Sequence, residues 1–68
     1  MRYFECIDAT HSKFWSVEVD GTDVVTVFGR LGTDGQSSIK PFSSAKEANK
    51  AADKLVASKL KKGYVEVL

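Results

Sequence analysis

Phe28-Gly29-Arg30 holds the residue types in this chain best suited to gripping another molecule. On an extended segment, a ring and a guanidinium two positions apart point to the same side. The ring can stack on a sugar or a base, and the planar guanidinium can fork two hydrogen bonds onto a phosphate or a carboxylate. Gly29 between them supplies no packing, and a glycine inside a strand marks a bulge or a close approach to the backbone. Gln36 carries an amide that could bond a phosphate or pin the adjacent turn. Lys59, Lys61 and Lys62 cluster just before Gly63-Tyr64 and are the further candidates for phosphate contact. Stacking on an aromatic ring contributes ~1–3 kcal/mol per base. About four phosphate contacts would give a log–log salt slope of roughly −3 to −4.

This is the chemistry of holding rather than of bond breaking. His11 is the single histidine and Cys6 the single cysteine. They form no nucleophile–base pair with a fixed partner, no metal-ligand set and no phosphate-cradling loop at a helix start. The expectation is therefore a protein that is not an enzyme, with no metal, no cofactor and no small-molecule substrate. Cys6 has no partner for an internal disulfide and reads as a small core residue, which fits a reducing, cytoplasmic compartment. No apolar run reaches the length of a membrane span or a signal-peptide core. The net charge is only +1, so any affinity for nucleic acid must come from a local patch.

The elements that would position these residues read clearly. Arg2 to Asp8 is a predicted strand, with Phe4 and Cys6 on one face and Tyr3, Glu5 and Ile7 on the other. Lys13 to Asp20 alternates Trp15, Val17 and Val19 against Phe14, Ser16 and Glu18. Val24 to Leu31 is the strand that carries the candidate site. On it Val24, Thr26, Phe28 and Arg30 share one face, while Val25, Val27 and Leu31 form a hydrocarbon row suited to a core. The turns at Asp20-Gly21 and Asp34-Gly35 are tight, so neighbouring strands are antiparallel. Gln36 to Phe42 is a fourth strand with Ile39 inward, and Pro41 belongs at its end or on an edge.

After Phe42 the period changes. Ser44-Ala45-Lys46-Glu47 has the form of a capping box at a helix start. Ala48, Ala51, Ala52, Leu55, Val56 and Leu60 form an apolar stripe, with Lys46, Lys50, Lys54 and Lys61 opposite. Lys61 and Lys62 suit the helix C-terminus, and Gly63 stops it. Tyr64 to Val67 is a short last strand. The fold class is α+β: a four-stranded antiparallel meander, one C-terminal helix packed on it, and a short final strand at an edge. With 68 residues, this is one domain spanning 1–68. A chain of this size buries only about 60% of its unfolded surface. A homodimer pairing exposed sheet edges would add stability.

With these elements laid out, the sequence resembles the WGR domain family, named for a Trp-Gly-Arg tripeptide on a central strand. Phe28-Gly29-Arg30 stands at that position. The likeness extends to Phe14-Trp15 and Val17, Gly29-Arg30-Leu31-Gly32, Gly35-Gln36, Phe42-Ser43, Ala48, Lys59 and Lys62-Gly63-Tyr64. It covers nearly the whole chain. The family occurs in poly(ADP-ribose) polymerases, where the module binds DNA at strand breaks, and in bacterial proteins. The resemblance implies a nucleic-acid-binding module without chemistry of its own, taking DNA ends, nicks or backbone without sequence reading. It makes Phe28 the ring set against sugar and Arg30 the cation. Phe28 replaces the family's Trp with a smaller ring that has no N–H donor, and Val27 stands where a polar residue or Arg is common. The alternative is a protein-interaction module using the same Phe28 and Arg30 surface, since these residue types also anchor protein interfaces. Phe28 could also be a packed residue of a second small core, and Arg30 could be held by an internal ion pair.

Overall fold

Short polar turns separate the alternating segments, so each strand folds back beside its predecessor. The computed structural model describes residues 1–68. It contains β1 (Arg2–Ile7), β2 (Ser12–Asp20), β3 (Asp23–Arg30), β4 (Gln36–Pro41), α1 (Ala45–Lys61) and β5 (Val65–Glu66). The strands form one antiparallel sheet in the order β4-β3-β2-β1-β5. The expected meander is present, the helix packs on it, and the final strand adds to the β1 edge. A two-pronged ion pair fixes that addition: Arg2 donates from Nε and Nη2 to the Glu66 carboxylate at 2.8 and 2.7 Å.

The register lines up four side chains across the sheet. Phe4 stands opposite Trp15, Trp15 opposite Phe28, and Phe28 opposite Gln36. All four therefore share one face. The helix lies on that face and presents Ala48, Ala52 and Val56 to Phe4, Cys6, Trp15, Val17, Val24 and Tyr64. Two alanines in this contact let the helix axis approach the sheet closely. The rings of Phe4 and Trp15 sit 5.4 Å apart, tilted at 50°. Each such aromatic removes about 150–250 Å² from water, worth roughly 4–6 kcal/mol at the usual area coefficient. Cys6 and Trp15 are thus core residues, as their spacing predicts.

The helix begins at its capping residue. The Ser44 hydroxyl accepts the Glu47 backbone N–H at 3.1 Å. The Glu47 carboxylate accepts a hydrogen bond from the Ser43 hydroxyl. At the far end the chain leaves through a Schellman turn. Gly63 N–H bonds the Leu60 carbonyl and Tyr64 N–H bonds the Lys59 carbonyl, with Gly63 at φ +98°. This turn drops Tyr64 into the core directly beneath Lys59.

Two expectations about faces are reversed. Val24, Thr26, Phe28 and Arg30 lie on the helix side of β3, while Val25 and Val27 lie on the outer face and are only half-buried. Ile39, expected inward, is on that outer face and is exposed. The helix covers whichever face continues Phe4, Cys6, Trp15 and Val17, so neighbouring strands and not the local valine count decide the inside of β3. The apolar stripe of the helix is also narrower than expected, since both Leu55 and Leu60 are exposed. The outer face carries its own small cluster. Phe14 is buried there and stacks on Tyr3 at 5.9 Å, with the rings 22° apart. Ser16 beside it is buried, and its hydroxyl donates to the Val27 carbonyl at 3.5 Å.

Candidate nucleic-acid interface

Gly29 does not leave an open notch for a ligand. Its backbone is extended, and a Cβ built there would lie 2.8 Å from the Gly35 Cα and 3.6 Å from the Phe14 ring. The β3–β4 turn folds back over the outer face and occupies the space that a side chain at Gly29 would need. Gly35 is constrained in the same way. It sits at φ +73°, and its Cβ would meet the Phe28 carbonyl and the Phe14 ring at 2.6 Å each. Both glycines therefore serve the chain's own packing.

The same arrangement places Phe28 and Arg30 on the other face, beside the helix and at the rim of what it covers. Helix α1 packs chiefly on β2 and β3, against Trp15, Val17 and Val24, and leaves β4 and the Arg30 end of β3 uncovered. Phe28 is 41% exposed. Arg30 is exposed, and its guanidinium forms no hydrogen bond or ion pair with the chain. The chain's ion pairs are Arg2–Glu66 at 2.7 Å and His11–Asp8 at 3.2 Å, both away from it.

Beside the Phe28 ring lies a cavity of ≈ 560 Å³ between β3 and the C-terminal half of the helix. Its walls include Trp15, Thr26, Phe28, Ser38, Leu55 and Tyr64, and three cations, Lys13, Arg30 and Lys59. Lys59 emerges on the helix face turned towards the sheet. Its ammonium stands 5.5 Å from the Trp15 ring centre and 5.2 Å from that of Tyr64. The Lys13 ammonium also approaches the Tyr64 ring, 5.6 Å from its centre. Partial burial holds the Lys59 ammonium below the ordinary lysine pKa, and repulsion from Lys62 and Lys13 adds to the effect. The two aromatic faces attract the same charge. The result is a row of positive charge on an aromatic floor.

Of the expected residues, Phe28, Arg30 and Lys59 all line this cavity. Lys61 does not join them; it lies on the opposite side of the helix, because it falls out of phase with Ala48, Ala52 and Val56. Lys62 caps the helix and contributes its field at Lys59. Gln36 is exposed opposite Phe28, on the same face, and its amide forms no hydrogen bond that would pin the turn. Thr33 fills that role instead, its hydroxyl donating to the Arg30 carbonyl at 2.7 Å. Lys13 and Tyr64 also line the cavity and are absent from the expected set. The signal for Lys13 lies in the alternation Lys13, Trp15, Val17, which puts it on the Trp15 face. Lys54 is exposed, as expected of the helix's solvent side, and also borders a second cavity beside Lys40. No three His, Cys, Asp or Glu side chains converge into a metal-holding group. No helix is long and apolar enough to cross a membrane.

The chain matches the family model described as the WGR domain over residues 1–68. Among curated proteins it is 50% identical over 66 residues to Protein YehF of Escherichia coli K12, covering 97% of this chain and 24% of that protein. It is 36% identical over 59 residues to the uncharacterised protein YfeS of the same organism, covering 87% of this chain and 24% of that one. The chain thus spans about a quarter of the length of the curated relatives it matches. A crystal structure of a Bacteroides fragilis protein superposes with a TM-score of 0.96 at 60% identity, covering 98% of this chain and 19% of that chain. WGR domains are generally nucleic-acid-binding modules.

Proposed function

We propose, from the premise that this chain belongs to the WGR domain family, that it binds nucleic acid through the Phe28 face without catalysing a reaction. The observation that carries this is the lining of the cavity beside Phe28: Lys13, Arg30 and Lys59 surround a half-exposed ring, and no carboxylate lines it. A polyanion with planar or sugar surfaces meets both features at once. Arg30 takes a phosphate through its planar fork. Lys13 and Lys59 supply point charges. Phe28 offers a stacking surface to a sugar or base at a strand end or nick. These contacts go to phosphate, sugar and ring faces, so binding is to backbone and shape.

Fluorescence anisotropy with blunt, nicked and closed circular DNA, at low and moderate salt, tests this reading. Binding should appear at low salt, weaken as salt rises, and favour the nicked and blunt forms over the circle. Arg30→Ala should weaken it. No binding at low salt, or binding indifferent to Arg30→Ala, would defeat the reading and turn attention to a protein partner for the same surface.

A further inference from the structure

We infer that the bound element is a short unpaired strand lying along a groove that runs from Arg30 to Lys40. This rests on the nucleic-acid reading above and extends it to a substrate class. A second cavity of ≈ 360 Å³ adjoins the first, and Thr26, Ser38 and Leu55 line both. The two therefore form one trough between α1 and the β3–β4 half of the sheet. The second cavity adds Lys40 and Lys54, one from the sheet and one from the helix. None of the chain's nine carboxylate side chains lines either cavity, although the chain as a whole is nearly neutral.

The two ends are built alike. At one end Phe28 stands beside Arg30. At the other, Phe42 lies half-buried with the Lys40 ammonium 5.7 Å from its ring centre. Lys40 pairs with Val24 in the register and Phe42 bonds back to Thr22, while Phe28 pairs with Gln36. The two aromatic–cation pairs are thus separated by about six strand residues, or roughly 20 Å at ~3.3 Å per residue. That length suits a run on the order of four to six nucleotides, given a base rise of about 3.4 Å per strand.

The trough favours an unpaired strand over a duplex for a physical reason. The open part of its floor is the rings of Phe28 and Phe42, between a helix wall and the β4 edge, with Trp15 and Tyr64 buried. A base inside a duplex shows its flat faces only to its stacked neighbours, so such a floor can meet base faces only when they are unpaired. The cations on the rims are placed to follow a single backbone. The ligand is a single-stranded overhang, flap or gap, recognised by stacking and charge without sequence reading.

The test measures anisotropy with a labelled twelve-residue oligothymidine and with a blunt duplex, at several salt concentrations. Three proteins are compared with the parent: the double variant Lys40→Ala/Lys54→Ala, Arg30→Ala, and the control Lys46→Ala/Lys61→Ala. The control removes the same charge from exposed positions outside both cavities. Circular dichroism confirms that each is folded. The expected result is that Lys40→Ala/Lys54→Ala weakens oligothymidine binding at least fivefold and lowers its salt slope by roughly 1.4, at about 0.7 per lost single-strand contact. Duplex binding should change less than twofold, and the control should match the parent. If Arg30→Ala weakens binding while Lys40→Ala/Lys54→Ala behaves like the control, the trough is overturned and the Phe28 site stands. If the parent binds the duplex but not oligothymidine, the single-strand assignment is overturned alone. If neither probe binds at low salt, both readings fall.

Discussion

The Cα of Gly35 stands only 2.8 Å from where the Cβ of any other residue at position 29 would have to be. The two glycines lock the β3–β4 turn against the outer face, with the Phe14 ring beneath both. Gly29→Ala should therefore destabilise the domain, because backbone and not a flexible side chain must give way. Overpacking of this kind costs ~1–3 kcal/mol. Gly35→Ala should cost more, since it adds a positive φ to two close approaches. Urea unfolding monitored by Trp15 fluorescence measures both, and a midpoint unchanged in either variant contradicts the packing role.

Phe28→Ala should separate binding from stability. The ring is half-exposed and lies at the edge of the core, so its loss should lower the melting temperature little. It should weaken nucleic-acid binding by ~1–3 kcal/mol, the range for an aromatic stacking contact. Phe28→Trp should bind more tightly than the parent, because a larger ring offers more stacking area into an unfilled cavity. A binding loss in Phe28→Ala matched by an equal loss of stability would assign the ring to the core instead.

Lys59 is held in opposing fields. Burial and its neighbours Lys62 and Lys13 disfavour the charge, while Trp15 and Tyr64 attract it. Its pKa lies below the ordinary lysine value, so the unfolded chain binds this proton more readily than the folded one. Stability from this group should rise as pH climbs from the folded pKa towards 10.5, the ordinary value. Lys59→Met keeps the apolar stem and removes the charge. It should flatten that alkaline rise and leave the neutral-pH melting temperature unchanged or higher. Its nucleic-acid salt slope should fall by about one phosphate contact. A large fall in melting temperature at neutral pH would show that the ring contacts dominate.

Asp8 should govern acid behaviour in the β1–β2 loop. Its carboxylate accepts the backbone N–H groups of Thr10 at 2.8 Å and His11 at 2.7 Å. These bonds, with that of the Thr10 hydroxyl, lower its pKa from 3.8 to about 2. The folded form thus holds the ionised group more firmly than the unfolded form does. The stability this contributes is present above pH 3.8 and is lost as pH falls towards 2. Asp8→Ala should be less stable than the parent at pH 6, and the gap between their melting temperatures should close near pH 2. A constant gap across that range contradicts the assignment.

The strands and the helix were legible because each rests on local chemistry. Alternation around Trp15, the Ser44 cap and Gly63 at the helix end act within a few residues. The inside of β3 was not legible from its own sequence. Val25 and Val27 are more hydrophobic than Thr26 and Arg30, yet they face outward because Trp15 pairs with Phe28 across the register. The role of Gly29 was hidden for a similar reason, since its partner, Gly35, arrives by a turn whose path the strand does not encode. Phe28, Arg30 and Lys59 could be named from type and pattern. Lys13 follows from the Trp15 alternation, whereas Lys40 and Lys54 enter the candidate site only because the helix packs over β2 and β3 and leaves β4 bare.

The pairing of β5 with β1 has a consequence for architecture. Arg2 and Glu66 clasp each other, and the Val67 N–H bonds the Tyr3 carbonyl at 2.9 Å, so entry and exit of the polypeptide run side by side. A cassette with adjacent ends can be spliced into a host protein without stretching either flank. Both tethers leave from the sheet border farthest from β4. Whatever a host carried there would hang behind the module, and its charged front would stay clear.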